Sequence, residues 1–172
     1  MVQAAGRHDT LAVRNRAIIE LCYSLGLRRA EIRSLNVRDS RENEVRVIGK
    51  GNKERIVPFG KQARKWIDKY IHGERRTVVN RHNPLEEALF VGRGGKRLCL
   101  GAYNVILKKQ VKSPFRLHSF RHACASHMLE NGANIMVIQK LLGHEQLSTT
   151  QKYTHVQVEH LEQMLEKCHP RG

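Results

Sequence analysis

The sequence predicts an α+β fold that is mainly α: one helical domain carrying a small three-stranded antiparallel β-sheet. Three observations lead there. Apolar residues recur at helical spacing through most of the chain. The period falls to two in a short stretch near residue 50, with a second brief apolar run near residue 90. A length of 172 residues with 40% hydrophobic content is enough to bury one sizeable core. No internal repeat, linker or low-complexity tract divides the chain.

Residues 1–10 read as a residual linker or tag-like N-terminus, small and polar at first. Asp9 and Thr10 are cap candidates for a helix whose Ala17, Ile18, Leu21, Cys22 and Leu25 form one apolar stripe. Gly26 ends it. A short helix over residues 29–35 turns Ile32 and Leu35 inward, which leaves Arg28 at the junction of two helices. Over residues 44–58, Val45 and Val47, then GKGNK, then Ile56 and Val57 predict a β-hairpin with Lys50 at its tip. Ala63, Trp66, Ile67, Tyr70 and Ile71 follow the spacing of an amphipathic scaffold helix. Residues 72–88 read as polar and irregular. Leu89, Phe90 and Val91 are expected as a third strand on the hairpin, and GRGG at 92–95 as a turn.

Helical character returns at residues 102–109 and, past the loop holding Pro114, at residues 118–129, where Asn131 and Gly132 stop it. Asn134 is placed to cap a further helix reaching Leu142, and Gly143 breaks it. A short helix is expected over residues 147–153. A tail helix at about 157–168 carries Val158, Leu161, Leu165 and Cys168.

Thirty-one Lys and Arg against sixteen Asp and Glu give a formal charge of +15, spread along the chain. Such a surface attracts polyanions by counterion release, so nucleic acid is the first partner to consider, ahead of anionic membrane. Cys22, Cys99, Cys124 and Cys168 share no CxxC pair and no metal-ligand or disulfide spacing. No apolar stretch approaches the length of a membrane span and no signal-peptide pattern opens the chain. The expected location is the cytoplasm, with no membrane partner.

The chemistry-bearing residues gather in the last third. On a helix, His118 and Arg121 lie three apart on one face, and both are placed to hold a phosphate. Arginine presents a planar fork of donors that matches phosphate oxygens and keeps its charge. Arg28 would complete a two-arginine clamp. His118 and His122 are four apart, but there is no HExxH and no third ligand, so no metal site is expected. Tyr153 follows a polar STTQK run and lies outside any apolar stripe. As a nucleophile it needs help, since a phenol of pKa ~10 is only about 0.1% ionised at pH 7. Nearby arginines would favour the phenolate, and His144 is a candidate for a supporting hydrogen bond. A departing DNA 5′ oxygen needs a proton, for which Lys50 is the natural donor. Lys53 and Arg55 are expected to touch the phosphate backbone.

Four segments, in order, carry a resemblance. GLRRAEI at 26–32 resembles a first catalytic-arginine motif, and VIGKGNKERIVPFG at 47–60 a catalytic-lysine hairpin. LHSFRHACASHML at 117–129 resembles an HxxR box, and LLGHEQLSTTQKYTHV at 141–156 the box with a second histidine and the tyrosine. Together they resemble the catalytic domain of the tyrosine recombinases, also called the phage integrase family. GKGNKER, LSTTQKYTHV and the terminal HPRG are similar to the Xer-type members.

The resemblance implies site-specific recombination of double-stranded DNA through a 3′-phosphotyrosyl intermediate. Arg28 and Arg121 would be the phosphate clamp and Lys50 the general acid. His118 and His144 would give acid/base and hydrogen-bonding support, and Tyr153 would be the nucleophile. Neither metal nor nucleotide is needed, because bond energy is kept in the ester. The implied assembly is a tetramer on paired sites, with the tail helix exchanged in trans through Val158, Leu161, Leu165 and Cys168, and a monomer without DNA. Residues 11–172 would form the catalytic domain including the tail, with the family's usual N-terminal core-binding domain absent. Residues 105–116 are short for the family. The alternatives are a non-catalytic or accessory DNA-binding module, which would give no covalent product, and type IB topoisomerase-like relaxation, which would need no paired site.

Overall fold

A computed structural model describes residues 11–110, 117–142 and 155–170. Its elements are α1 (Ala12–Leu25), α2 (Arg29–Ser34), β1 (Glu44–Ile48), β2 (Glu54–Pro58), α3 (Lys61–Tyr70), a π turn (Ile71–Arg75), α4 (Arg76–His82), α5 (Leu100–Gln110), α6 (Leu117–Glu130), α7 (Ile135–Leu142) and α8 (His155–Cys168). The fold is mainly helical, as its periodicity predicts.

Helix α1 is the centre of the molecule. Ala17, Ile18, Leu21 and Leu25 are fully buried and Cys22 nearly so, with Ile19 covered from a further direction. Helices α3, α5 and α6 pack around it. Asp9 and Thr10, the expected caps, lie outside the described residues. The first turn of α1 is satisfied from far along the chain: the Glu74 carboxylate accepts from the N–H groups of Val13 at 2.9 Å and Arg14 at 2.8 Å. A carboxylate there also meets the positive end of the helix dipole.

The hairpin pairs Glu44 with Pro58 through to Ile48 with Glu54. The sheet is two-stranded among the described residues, and the expected third strand is corrected. Leu89, Phe90 and Val91 are buried as their composition demands, but their backbone pairs elsewhere. Leu89 N–H donates to Leu35 O at 2.9 Å, Val91 makes a single bridge to Arg97, and Ala88 a single bridge to Asn36. An apolar run of three residues fixes burial without fixing which edge it joins.

Residues 72–88 also depart from expectation, because helix continues from α3 through the π turn to His82. The stretch buries little apolar surface, with Val79 the inward residue of α4. Polar contacts hold it instead: Arg75 donates to Ala88 O at 2.9 Å and Glu86 O at 2.6 Å. The π turn shifts the helical register by about one residue, so the apolar stripe of α3 does not carry on in phase.

Asn134 caps α7 as expected, its side-chain oxygen accepting from Met136 N–H at 2.8 Å. The tail helix α8 packs on α6 and β2 of its own chain, burying Leu161, Leu165 and Cys168. Each fully buried leucine is worth roughly 1.5–3 kcal/mol. Asn131 on the α6–α7 turn donates to Cys168 O at 2.8 Å, and Lys61 pairs with Glu166 at 3.0 Å. No helix among the described residues is long and apolar enough to cross a membrane.

Candidate active site

The site begins where α1 stops. Gly26 takes a left-handed conformation at φ +56, and a Cβ there would collide with Leu142 and lie 3.5 Å from Arg121 Cγ. Glycine therefore permits both the turn and the close approach of α6 and α7 to this junction. Leu27 is buried and Arg28 is the N-cap before α2, extended at ψ 150 with its side chain 40% exposed.

Glu31 organises the junction. Its carboxylate accepts from Arg28 N–H at 2.8 Å and from Arg28 Nη1 at 3.1 Å. From the hairpin, Arg55 reaches the same group with two parallel bonds, Nη1 to Oε1 at 2.9 Å and Nη2 to Oε2 at 3.0 Å. Burial pushes the Glu31 carboxyl upward, but the hydrogen bond and charge of Arg55, then those of Arg28, hold it below the usual carboxylate range.

Arg121 enters from α6. Its Nη1 donates to Gly26 O at 2.9 Å, across 95 residues of sequence, and its Nη2 donates to Leu142 O. Burial pulls its pKa down to about 10. Repulsion from Arg28 and, less strongly, Arg55 adds to this while Glu31 opposes it. The guanidinium stays protonated at neutral pH. Arg28 and Arg55 thus bond to one carboxylate while Arg121, held by backbone carbonyls, lies within reach of its charge and theirs, leaving excess positive charge beside the half-exposed Arg28. That is the electrostatic requirement for receiving a phosphate, and arginine meets it with the right donor geometry.

The hairpin tip lies nearby in the fold. Gly49 N–H closes the turn on Lys53 O at 2.8 Å, and Gly51 and Asn52 take left-handed conformations within it. Lys50 occupies the tip by its backbone, while its side chain is outside the described residues. Lys53 is exposed. Arg55, expected to touch the phosphate backbone, is an inward residue, 7% exposed and held by Glu31. Its partner across the sheet is Val47, and it shares the inner face with Val57. Strand alternation decided its direction.

The structure thus brings Arg28 and Arg121 together, with Glu31 and Arg55 as members that residue-type reasoning missed or misplaced. Glu31 had a signal: a carboxylate three residues after a helix-initiating position is where a capping interaction forms. His118 lies in the first turn of α6, its side chain outside the described residues. His144 and Tyr153 both lie outside the described residues, on the segment between α7 and α8. His127 serves packing, its Nδ1 2.7 Å from the Tyr23 hydroxyl.

Comparison with known proteins gives the family and the fold. Residues 1–160 match the phage integrase family. Over 171 residues the chain is 45% identical to tyrosine recombinase XerC of Vibrio campbellii, covering 95% of this chain and 53% of that protein. The chain therefore spans about half the length of that relative. Among solved structures, the integrase from mycobacterium phage Brujita superposes with a TM-score of 0.72 at 21% identity, over 96% of this chain and 54% of that one. The XerH site-specific recombinase bound to its palindromic difH substrate in a post-cleavage complex gives a TM-score of 0.65 at 23% identity, over 92% and 47% of the two chains. These likenesses give the fold, and the match over residues 1–160 gives the lineage: the chain belongs to the phage integrase family.

Proposed function

We propose that this chain is the catalytic domain, residues 11–172, of a site-specific DNA recombinase that cuts and rejoins strands through a phosphotyrosine. One observation carries the reading. Arg28 and Arg121, far apart in sequence, converge with surplus positive charge beside the end of α7, from which the chain runs on to His144 and Tyr153. Kinship with XerC and a fold shared with a DNA-bound XerH support it.

In this reading the Tyr153 oxygen forms a bond to the scissile phosphorus as the bond to the 5′ oxygen breaks. The phenol proton passes to a supporting histidine, His118 or His144, and Lys50 protonates the departing 5′ oxygen. Arg28 and Arg121 hold the non-bridging oxygens, whose charge grows in the transition state. The reverse attack by a 5′ hydroxyl from a partner strand releases the tyrosine. One phosphodiester is exchanged for another, so no external energy source enters. The working assembly is a tetramer on paired sites, in which α8 leaves the body it covers here and docks on a neighbour. The place of action is the cytoplasm.

Nicked duplexes with randomised arms test this, because the short 5′-hydroxyl fragment diffuses away after cleavage and traps the intermediate. Wild-type protein should yield a denaturation-resistant protein–DNA adduct, and Tyr153→Phe should yield none. Adduct at wild-type level from Tyr153→Phe would overturn the assignment.

A further inference from the structure

We infer that Arg55 is a positioning residue for the general acid: it fixes the root of the Lys50 hairpin to the carboxylate that holds Arg28. This rests on the recombinase reading above and deepens it. Arg55 is at the crossing of three parts of the site. Its two terminal nitrogens are both committed to Glu31, at 2.9 and 3.0 Å. Its Nε faces Leu141 O at 3.4 Å, a long bond to the carbonyl end of α7. A Cβ on Gly49, the residue before Lys50, would lie 3.4 Å from Arg55 Nη1 and 3.7 Å from Glu31 Oε1. The backbone that launches Lys50 therefore rests on the Arg55–Glu31 pair.

Shared occupancy makes the pair directional. Glu31 Oε1 accepts from both Arg55 Nη1 and Arg28 Nη1. The same oxygen is thus a common reference for the strand that carries the acid and for one arm of the clamp. Arg121 ties in through Leu142 O, the carbonyl next to the one Arg55 faces. A lysine at position 55 would keep the charge but could not span both carboxylate oxygens, since a single ammonium lacks the planar fork. Without the fork, the hairpin root loses its fixed distance to Arg28. A misplacement of about 1 Å in such a group costs on the order of 10²-fold in rate.

A leaving-group test separates positioning of the acid from general support of the fold. In DNA whose bridging 5′ oxygen at the scissile phosphate is sulfur, the group that departs is a thiolate, and it needs little protonation. Duplexes captured by wild-type protein from the randomised pool are resynthesised in oxygen and sulfur forms. Single-turnover cleavage of both is then measured with wild type, Lys50→Ala, Arg55→Met and Arg55→Lys.

The Arg55 variants should be slowed about 10²-fold on oxygen and much less on sulfur. Their sulfur-to-oxygen rate ratio should rise above the wild-type ratio in the direction of Lys50→Ala. An Arg55 ratio equal to wild type would overturn the inference, because a structural defect slows both substrates alike. The ratio is taken within one sample, so a reduced folded fraction cancels. If Arg55→Met yields no folded protein, Arg55→Lys supplies the same reading. Absence of any wild-type adduct would instead sink the recombinase reading, a distinct result.

Discussion

Arg14 and Arg75 at the first turn of α1 and the π turn, and Arg55 and Arg121 at the α1–α2 junction, are all 7–8% exposed, yet they differ in the like charge around them. Arg14 donates to the Asn15 side-chain oxygen and to Val91 O, and Arg75 to Ala88 O and Glu86 O. These two hold the helix–loop junction around Val79, Ala88 and Val91. At the other end, Arg28 and Arg55 bond to Glu31, Arg121 donates to Gly26 O and Leu142 O under repulsion from both, and Arg28 stays 40% exposed. A buried arginine is therefore not in itself a sign of function. Converging like charge with an exposed member is, because such charge is held at a cost to stability unless an anion arrives to offset it.

Removing one arginine from each group separates the two roles. Arg121→Met should reduce covalent cleavage by roughly 10²–10³-fold, the loss expected for one donor to transition-state charge. Arg75→Met should leave the cleavage rate of folded protein near wild type. Single-turnover assays on folded samples read both, and equal losses in the two variants would erase the distinction. In denaturant unfolding, each variant should lose about 1–3 kcal/mol, because each leaves buried carbonyl groups unsatisfied. Stability thus falls in both while chemistry falls in one.

A smaller effect sharpens the role of Glu31. Its folded pKa lies below the ordinary 4.5, so the stability it contributes is complete above that value and is lost as pH falls through the folded pKa. Glu31→Gln removes this contribution. The variant should be less stable than wild type near neutral pH, and the difference should shrink on acidification below about 4.5. A difference that stays constant with pH would show that the carboxylate charge does not hold the arginines.

How far the sequence was legible follows from these same residues. Period-two spacing around GKGNK located the hairpin, and Gly26 with the following arginine located the junction, because turn chemistry is local. Arg55 was also legible in principle: it stands in phase with Val57 on the inner face, but its charge suggested solvent. Pattern outweighed residue type there because Glu31 supplies a buried partner. The helix over residues 71–82 was hidden by its π turn and by support from polar contacts 11 and 13 residues on. Leu89–Val91 forms no third strand because Leu89 bonds instead to Leu35, a tertiary partner that no local spacing encodes. His118, His144 and Tyr153 were read from spacing and family resemblance, and their side chains lie outside the described residues.

Mass analysis of the trapped adduct, after digestion of the protein and the DNA, identifies the residue that attacks the phosphate and the end of the strand it holds. One modified peptide is expected, carrying a nucleotide joined through its 3′ phosphate to Tyr153, with Arg121→Met lowering its yield and Arg75→Met not. A 5′ linkage, or a nucleotide on any other residue, would contradict that expectation.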